Sequence, residues 1–242
     1  MDLLIFQKGF NFSQDGPGNR LVYHLQGCQM RCPWCANPEG IAAAGGVKVA
    51  VSQVVDEVLR SRALFFDGGG VTLTGGEATL QMDAILELLA GLKEQNIHTA
   101  LETNGLSARI PELFPLVDCW MIDCKHYDDD AHRAMLGHSN KAVLQNICRA
   151  AQAGKRPTVR IPLINGFNAG EREAAGFAGL FASLNLRDSI AVELLPYHDY
   201  GKAKYDKLGI PYTMTGKAFV PVEIREKMED VFRGYGLSCI HT

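Results

Sequence analysis

Along this chain, short apolar runs alternate with stretches in which apolar residues recur every three or four positions. The runs at 21–25, 71–74, 99–102, 117–123, 158–164 and 190–195 predict six strands. The intervening spacing predicts helices over 51–64, 80–94, 107–115, 140–153, 171–184 and 221–234, with a further acidic helix start at Asp128-Asp129-Asp130. Ser52 is the expected N-cap of the first, and Pro111 and Pro115 interrupt the third. Residues 3–8 predict an additional short strand and 237–240 a tail strand. Residues 41–46 predict a plain connector and 196–211 a long loop. Strand followed by helix, six times over, implies α/β architecture with parallel strands and right-handed crossovers. Six units are too few for an eight-fold barrel, and periodicity alone equally allows an open doubly wound sheet. No repeat, low-complexity tract or linker interrupts the pattern, so one domain over 1–242 is expected.

Composition narrows this picture only a little. The chain has 242 residues, 47% hydrophobic and 21% charged, with a net charge of −3, which suits a water-exposed globular protein. The charge balance offers nothing to attract nucleic acid or an anionic membrane. No apolar run is long enough to span a bilayer, and the N-terminus lacks the basic and apolar regions of a signal peptide. The seven cysteines, an odd number without a secretion signal, point to the reducing cytoplasm.

Three of those cysteines carry chemistry. Cys28, Cys32 and Cys35 stand in a C-x3-C-x2-C spacing within eight residues. Thiolates are soft ligands suited to iron–sulfur clusters or zinc. A closed zinc site and most cubane clusters take four ligands; the local set stops at three, so one iron of a cubane would keep an open position. A zinc knuckle, a disulfide pair or plain loop cysteines are the alternatives. Cys119, Cys124, Cys148 and Cys239 are scattered and read as small core residues.

The other unusual residues sit at the carboxyl ends of successive predicted strands. Gly75-Gly76-Glu77 follows the second strand and Glu102-Thr103-Asn104-Gly105 the third. Asp123-Cys124-Lys125 closes the fourth, and Pro196-Tyr197-His198 follows the sixth. That edge carries the site in barrels and open α/β sheets alike. Each has a plainer account. Glu77 could simply cap a helix, Asp123 and Lys125 could form a rim ion pair, Arg160 could pair structurally with Glu193, and His198 could cap a loop.

Taken together, Asp15-Gly16-Pro17-Gly18, the cysteine loop with Asn37, the run from Gly69 to Glu77, Glu102-Thr103-Asn104-Gly105, and Leu194 to His198 with Gly201, Lys202 and Lys204 resemble the radical SAM (S-adenosylmethionine) enzymes. Within them the resemblance is to the glycyl-radical-enzyme activating enzymes, of the pyruvate formate-lyase type, over about residues 5–240. The resemblance implies a partial (β/α)6 barrel in a single domain. It implies a [4Fe–4S] cluster on Cys28, Cys32 and Cys35, with SAM on the open iron. Asn37, Gly75, Gly76, Glu77, Glu102, Asp123, Lys125, Arg160 and His198 would bind SAM. Of these, Gly75-Gly76-Glu77 would hold its amino group, Lys125 and Arg160 would lie at its carboxylate, and His198 beside the nucleoside. Asp15 and Gly16 would hold a partner's glycine loop. No catalytic residue is implied beyond the ligands of the cluster and of SAM.

The implied partners are a glycyl radical enzyme and a flavodoxin or ferredoxin electron donor. Glu102 stands where the family commonly has Asp; with Asp123 and the Met121 carbonyl it would bind a monovalent cation, Na+ or K+. The short stretch between Asn37 and Val51 leaves no room for the ferredoxin-like insertion of many activating enzymes. A radical SAM enzyme acting on a small molecule, and a non-catalytic zinc or electron-transfer module, are the competing functions.

Overall fold

Apolar runs with β-branched residues become strands, and the longer three-and-four patterns become helices, in the computed structural model, which describes residues 1–241. Among these residues the strands are β1 (Asp2–Phe12), β2 (Asn19–Leu25), β3 (Val47–Ala50), β4 (Gly70–Gly75), β5 (Thr99–Thr103), β6 (Cys119–Asp123), β7 (Thr158–Leu163), β8 (Ala191–Pro196) and β9 (Ser238–Ile240). The helices are α1 (Val51–Ser61), α2 (Met82–Glu94), α3 (Asp129–Leu136), α4 (Lys141–Gln152), α5 (Glu171–Ser183), α6 (Lys202–Leu208) and α7 (Val222–Gly234). They form two compact units, one of residues 1–29 and 39–121, the other of 30–38 and 122–241. None of the helices is long and apolar enough to cross a membrane.

In the first unit the strand order is β3-β1-β2-β4-β5. β2, β4 and β5 run parallel, while β1 is antiparallel to both neighbours and carries an irregularity between Ile5 and Gln7. All but the last residue of β4 are buried, as expected of a parallel strand covered on both faces. Leu25 pairs with Gly75, so β2 and β4 end level and deliver the cysteine loop and Gly75-Gly76-Glu77 to one edge. α1 (through Val51, Val54 and Val58) packs with α2 (through Ile85, Leu88, Leu89 and Leu92) to cover that sheet.

In the second unit β7, β8 and β9 run parallel, and Leu163 pairs with Pro196. α5 and α7 pack together, burying Phe177, Phe181 and Phe232 completely. Burial of each such ring stabilises the fold by about 1.5–3 kcal/mol.

The α/β class and the parallel strands match the expectation, and several local features depart from it. The first strand extends to Phe12, because its pairing with β2 satisfies backbone groups well beyond the apolar stretch. β3 forms in residues 47–50, which have no strand-like run of their own, because β1 offers it a free edge. The helix expected over 107–115 is only a 3-10 turn, Ile110–Leu113, since Pro111 and Pro115 remove donors. α6 occupies part of the expected loop. α1 begins at Val51, so Ala50 rather than Ser52 is its N-cap; the Ala50 N–H donates to Gln53 Oε1 at 3.2 Å.

Candidate functional site

In the first unit, Gly75 and Gly76 let the end of β4 lie directly on the chain that leaves β2. Gly75 has φ +116°, open to glycine. A Cβ on Gly76 would collide with the backbone of Gly27 and Gly40. The Gly76 N–H donates to Leu25 O (2.9 Å), the Glu77 N–H to Gly27 O (2.7 Å) and the Cys28 N–H to Ile41 O (3.1 Å). The root of the cysteine loop is therefore stitched to the Gly-Gly-Glu turn through main-chain bonds.

Glu77 is buried, and its carboxylate is used inside the unit. Oε1 accepts from the Thr79 N–H (3.1 Å), Thr79 Oγ1 (2.6 Å) and Thr103 Oγ1 (2.7 Å); Oε2 accepts from the Asn104 N–H (2.7 Å). Burial pushes this carboxyl's pKa up, and the four donors pull it back. Glu77 also caps the 3-10 turn Ala78–Gln81, so the plainer helix-start account holds as well. Asn104 in turn reaches the cysteine loop, with Nδ2 3.9 Å from Cys28 Sγ. Glu102 accepts from Thr74 Oγ1 at 2.6 Å. Gly16 is buried where a side chain would press on Arg20 and Ala100, and the Asp15 carbonyl accepts from Thr72 Oγ1 at 2.7 Å. Arg20, fully buried, donates to Pro17 O (3.0 Å), Val71 O (2.7 Å) and Thr72 Oγ1 (2.7 Å); burial pulls its pKa down to about 10. It fixes the Asp15–Gly18 turn from beneath. Met121 is buried in β6.

The second unit holds Cys32 and Cys35, whose turn is closed by the Cys35 N–H donating to Cys32 O at 3.1 Å. Burial pushes the Cys32 thiol up to about 11. Trp34, between them, packs with Leu136, Ile164, Tyr197 and Ala218, and its ring lies 5.4 Å from that of Phe167. α6 braces the loop from the other side. Gly201 approaches the Cys35 carbonyl so closely that a Cβ has no room, Tyr205 is buried, and Lys204 Nζ donates to Asn37 Oδ1 at 2.7 Å.

Lys125 and Asp123 form an ion pair at 2.6 Å, with Lys125 buried. Arg160 and Glu193 form a buried pair at 2.7 Å, as the structural alternative anticipated. His198 is exposed, its ring 4.2 Å from that of Tyr200. Cys124 is buried and its thiol is pushed up to about 12.

Sequence reasoning gave no role to Arg20, Asn104, Lys204 or Tyr205. Arg20 carried the same signal as Arg160, a charge at an apolar strand. Asn104 and Lys204 lie inside the family-like runs and Tyr205 directly follows one, but spacing does not show a hydrogen bond across 76 or 167 residues.

All seven cysteines are free thiols. Among the described residues no group of three or more His, Cys, Asp or Glu side chains forms a metal-holding set. The fit of a [4Fe–4S] group lies in the donors themselves. Three soft thiols stand on one short loop, with an amide donor beside Cys28 and a helix against Cys35.

Comparison with known proteins agrees with this chemistry. The radical SAM superfamily pattern matches residues 22–178. The chain is 36% identical over 214 residues to the pyruvate formate-lyase-activating enzyme of Streptococcus mutans, covering 84% of this chain and 81% of that one. It is 33% identical over 227 residues to the pyruvate formate-lyase 1-activating enzyme of Escherichia coli K12, covering 92% of each. The crystal structure of a domain of pyruvate-formate lyase-activating enzyme from Bacteroides vulgatus superposes with a TM-score of 0.59 at 31% identity, covering 72% of this chain and 98% of that one.

Proposed function

The chain belongs to the radical SAM superfamily, and from that membership we propose that it is a glycyl-radical-enzyme activating enzyme. What carries this role is the loop of Cys28, Cys32 and Cys35, three free thiols in a chain whose relatives over most of its length are activating enzymes. When bound, a [4Fe–4S] cluster with SAM at its open iron supplies one-electron cleavage of the sulfonium C–S bond, and so the 5′-deoxyadenosyl radical that takes hydrogen from a glycine Cα of the partner.

The chain's own residues bind, orient and shield. Cys28, Cys32 and Cys35 hold the cluster. Gly75, Gly76 and Glu77 form the turn that receives the SAM amino group, with Glu77 holding that turn rigid through its four internal bonds. Lys125, steered by Asp123, and Arg160, steered by Glu193, present cations to the SAM carboxylate. Asn37 would contact SAM and His198 its nucleoside, and Glu102, Asp123 and the Met121 carbonyl are the groups that would serve a monovalent cation. Asp15 and Gly16, seated on Arg20, receive the glycine loop of a glycyl radical enzyme. Trp34 and its apolar neighbours keep water from the thiols. Flavodoxin or ferredoxin delivers the electron.

The test is anaerobic. Wild-type protein carrying iron and sulfide, reduced with SAM beside a candidate glycyl radical enzyme, gives a glycyl doublet by electron paramagnetic resonance. Cys32→Ala loses iron and SAM cleavage together. Retention of both in Cys32→Ala, or stoichiometric zinc in colourless wild type, would refute this role. SAM turnover without a protein radical from any candidate would instead favour a small-molecule substrate.

A further inference from the structure

We infer that Lys204 is a positioning residue for SAM, acting through Asn37. The inference rests on the proposed function for the identity of the ligand, and on the geometry for the residue. Lys204 Nζ lies 2.7 Å from Asn37 Oδ1, although the two are 167 residues apart. An ammonium is a donor only, so the atom it meets must be the amide oxygen. That contact settles which way round the Asn37 amide sits, a choice an isolated asparagine leaves open. With Oδ1 engaged by a full positive charge, Asn37 offers ligand its Nδ2–H2 group. It therefore recognises an acceptor on the ligand, and not a donor.

The helix that presents Lys204 is itself held against the cysteine loop. Gly201, at its start, abuts the Cys35 carbonyl with no room for a side chain. The Lys204 N–H and the Tyr205 N–H both donate to Gly201 O, at 2.8 and 3.1 Å. Tyr205 is buried, with its ring 4.9 Å from that of Tyr212. The Tyr212 hydroxyl meets the Tyr197 hydroxyl at 2.7 Å, and Tyr197 packs in the same apolar group as Trp34. The lysine's backbone is thus fixed relative to the loop that carries Asn37, so its ammonium acts as a pin.

The experiment uses the reconstituted holoprotein and measures SAM binding by anaerobic calorimetry, beside iron and sulfide content and thermal midpoint. Lys204→Met is expected to keep its iron and to bind SAM about tenfold more weakly, the scale of one charge-assisted hydrogen bond. Asn37→Ala is expected to lose a similar factor. In the Asn37→Ala background, Lys204→Met should cost no further SAM affinity, because its effect on the ligand passes through the Asn37 amide. Three outcomes would overturn the inference: wild-type affinity in Lys204→Met, a second tenfold loss in the double variant, or loss of iron from Lys204→Met. The second would mean that its charge acts directly, and the third that it holds the cysteine loop itself. Failure of the wild type to bind SAM would refute the proposed function instead.

Discussion

The Glu77 carboxylate accepts the backbone N–H of Asn104 at 2.7 Å, and so ties the turn after β4 to the turn after β5. Asn104 then places its amide 3.9 Å from the Cys28 sulfur. A glutamate that reads in sequence as a ligand for an ammonium is also the joint on which two strand-end turns and one cysteine depend.

Removing that joint strands buried donors. Glu77→Ala leaves the Thr79 and Asn104 N–H groups without their acceptor, at about 1–3 kcal/mol each. Glu77→Gln keeps one oxygen but turns its amide N–H2 toward a second donor, so it also destabilises. Both should lower the urea midpoint, and a Glu77→Gln protein unfolding with the wild type would contradict the role given to the carboxylate.

Asn104→Ala tests the contact with Cys28 electrochemically. A donor at a cluster sulfur favours the reduced, more negative form. Its loss should make the midpoint potential more negative by on the order of 40 mV, the one-electron equivalent of a ~1 kcal/mol hydrogen bond. An unchanged potential in a variant with full iron content would show that the 3.9 Å contact does not influence the cluster.

Arg160 and Glu193 separate stability from binding. Glu193→Gln removes the carboxylate charge that faces the buried Arg160 guanidinium and should cost about 3–5 kcal/mol in chemical denaturation. Replacing both, as Arg160→Met with Glu193→Leu, should recover most of that loss, since an apolar pair of similar volume packs without desolvating charge. If Arg160 also serves the SAM carboxylate, the recovered double variant will still bind SAM more weakly. Wild-type affinity in that variant would leave the pair a structural role alone.

Asp129 gives a pH signature. Hydrogen bonds from Ser139, Arg133 and the Asn140 N–H hold its pKa down to about 2. A carboxylate depressed on folding stabilises the fold above its ordinary range, about 3.9, and that stabilisation fades as pH falls toward the folded value. The gap in urea midpoint between wild type and Asp129→Asn should be full at about pH 6 and shrink below about pH 4. A gap that widened in acid would mean that the sign is wrong.

Much of the fold was legible because strand and helix signals are local. The runs at 21–25, 71–74 and 158–164 fall within one or two residues of β2, β4 and β7 at either end. β3 was not legible, because residues 47–50 form a strand only where β1 supplies a partner. Nor was α6, whose seven residues are too few to show a period and which is held by Gly201 and Tyr205 against the cysteine loop. The candidate site divides in the same way. The cysteine spacing, the Gly-Gly-Glu turn and the Asp123–Lys125 pair lie within a few residues each, whereas the bonds of Arg20 to Thr72, Glu77 to Asn104 and Asn37 to Lys204 join distant parts of the chain.

By itself the sequence determined the alternation of strand and helix, the three thiols on one loop, and the gathering of special residues at strand ends, because each depends on near neighbours in the chain. Only the tertiary structure decided that Glu77 also spends its carboxylate on Thr103 and Asn104, that Arg20 underpins the Asp15–Gly18 turn while bonded to Thr72, and that Lys204 bonds the Asn37 amide. Those outcomes follow from burial, which forces each polar group to find a partner, and which partner it finds depends on how distant segments pack rather than on spacing along the chain.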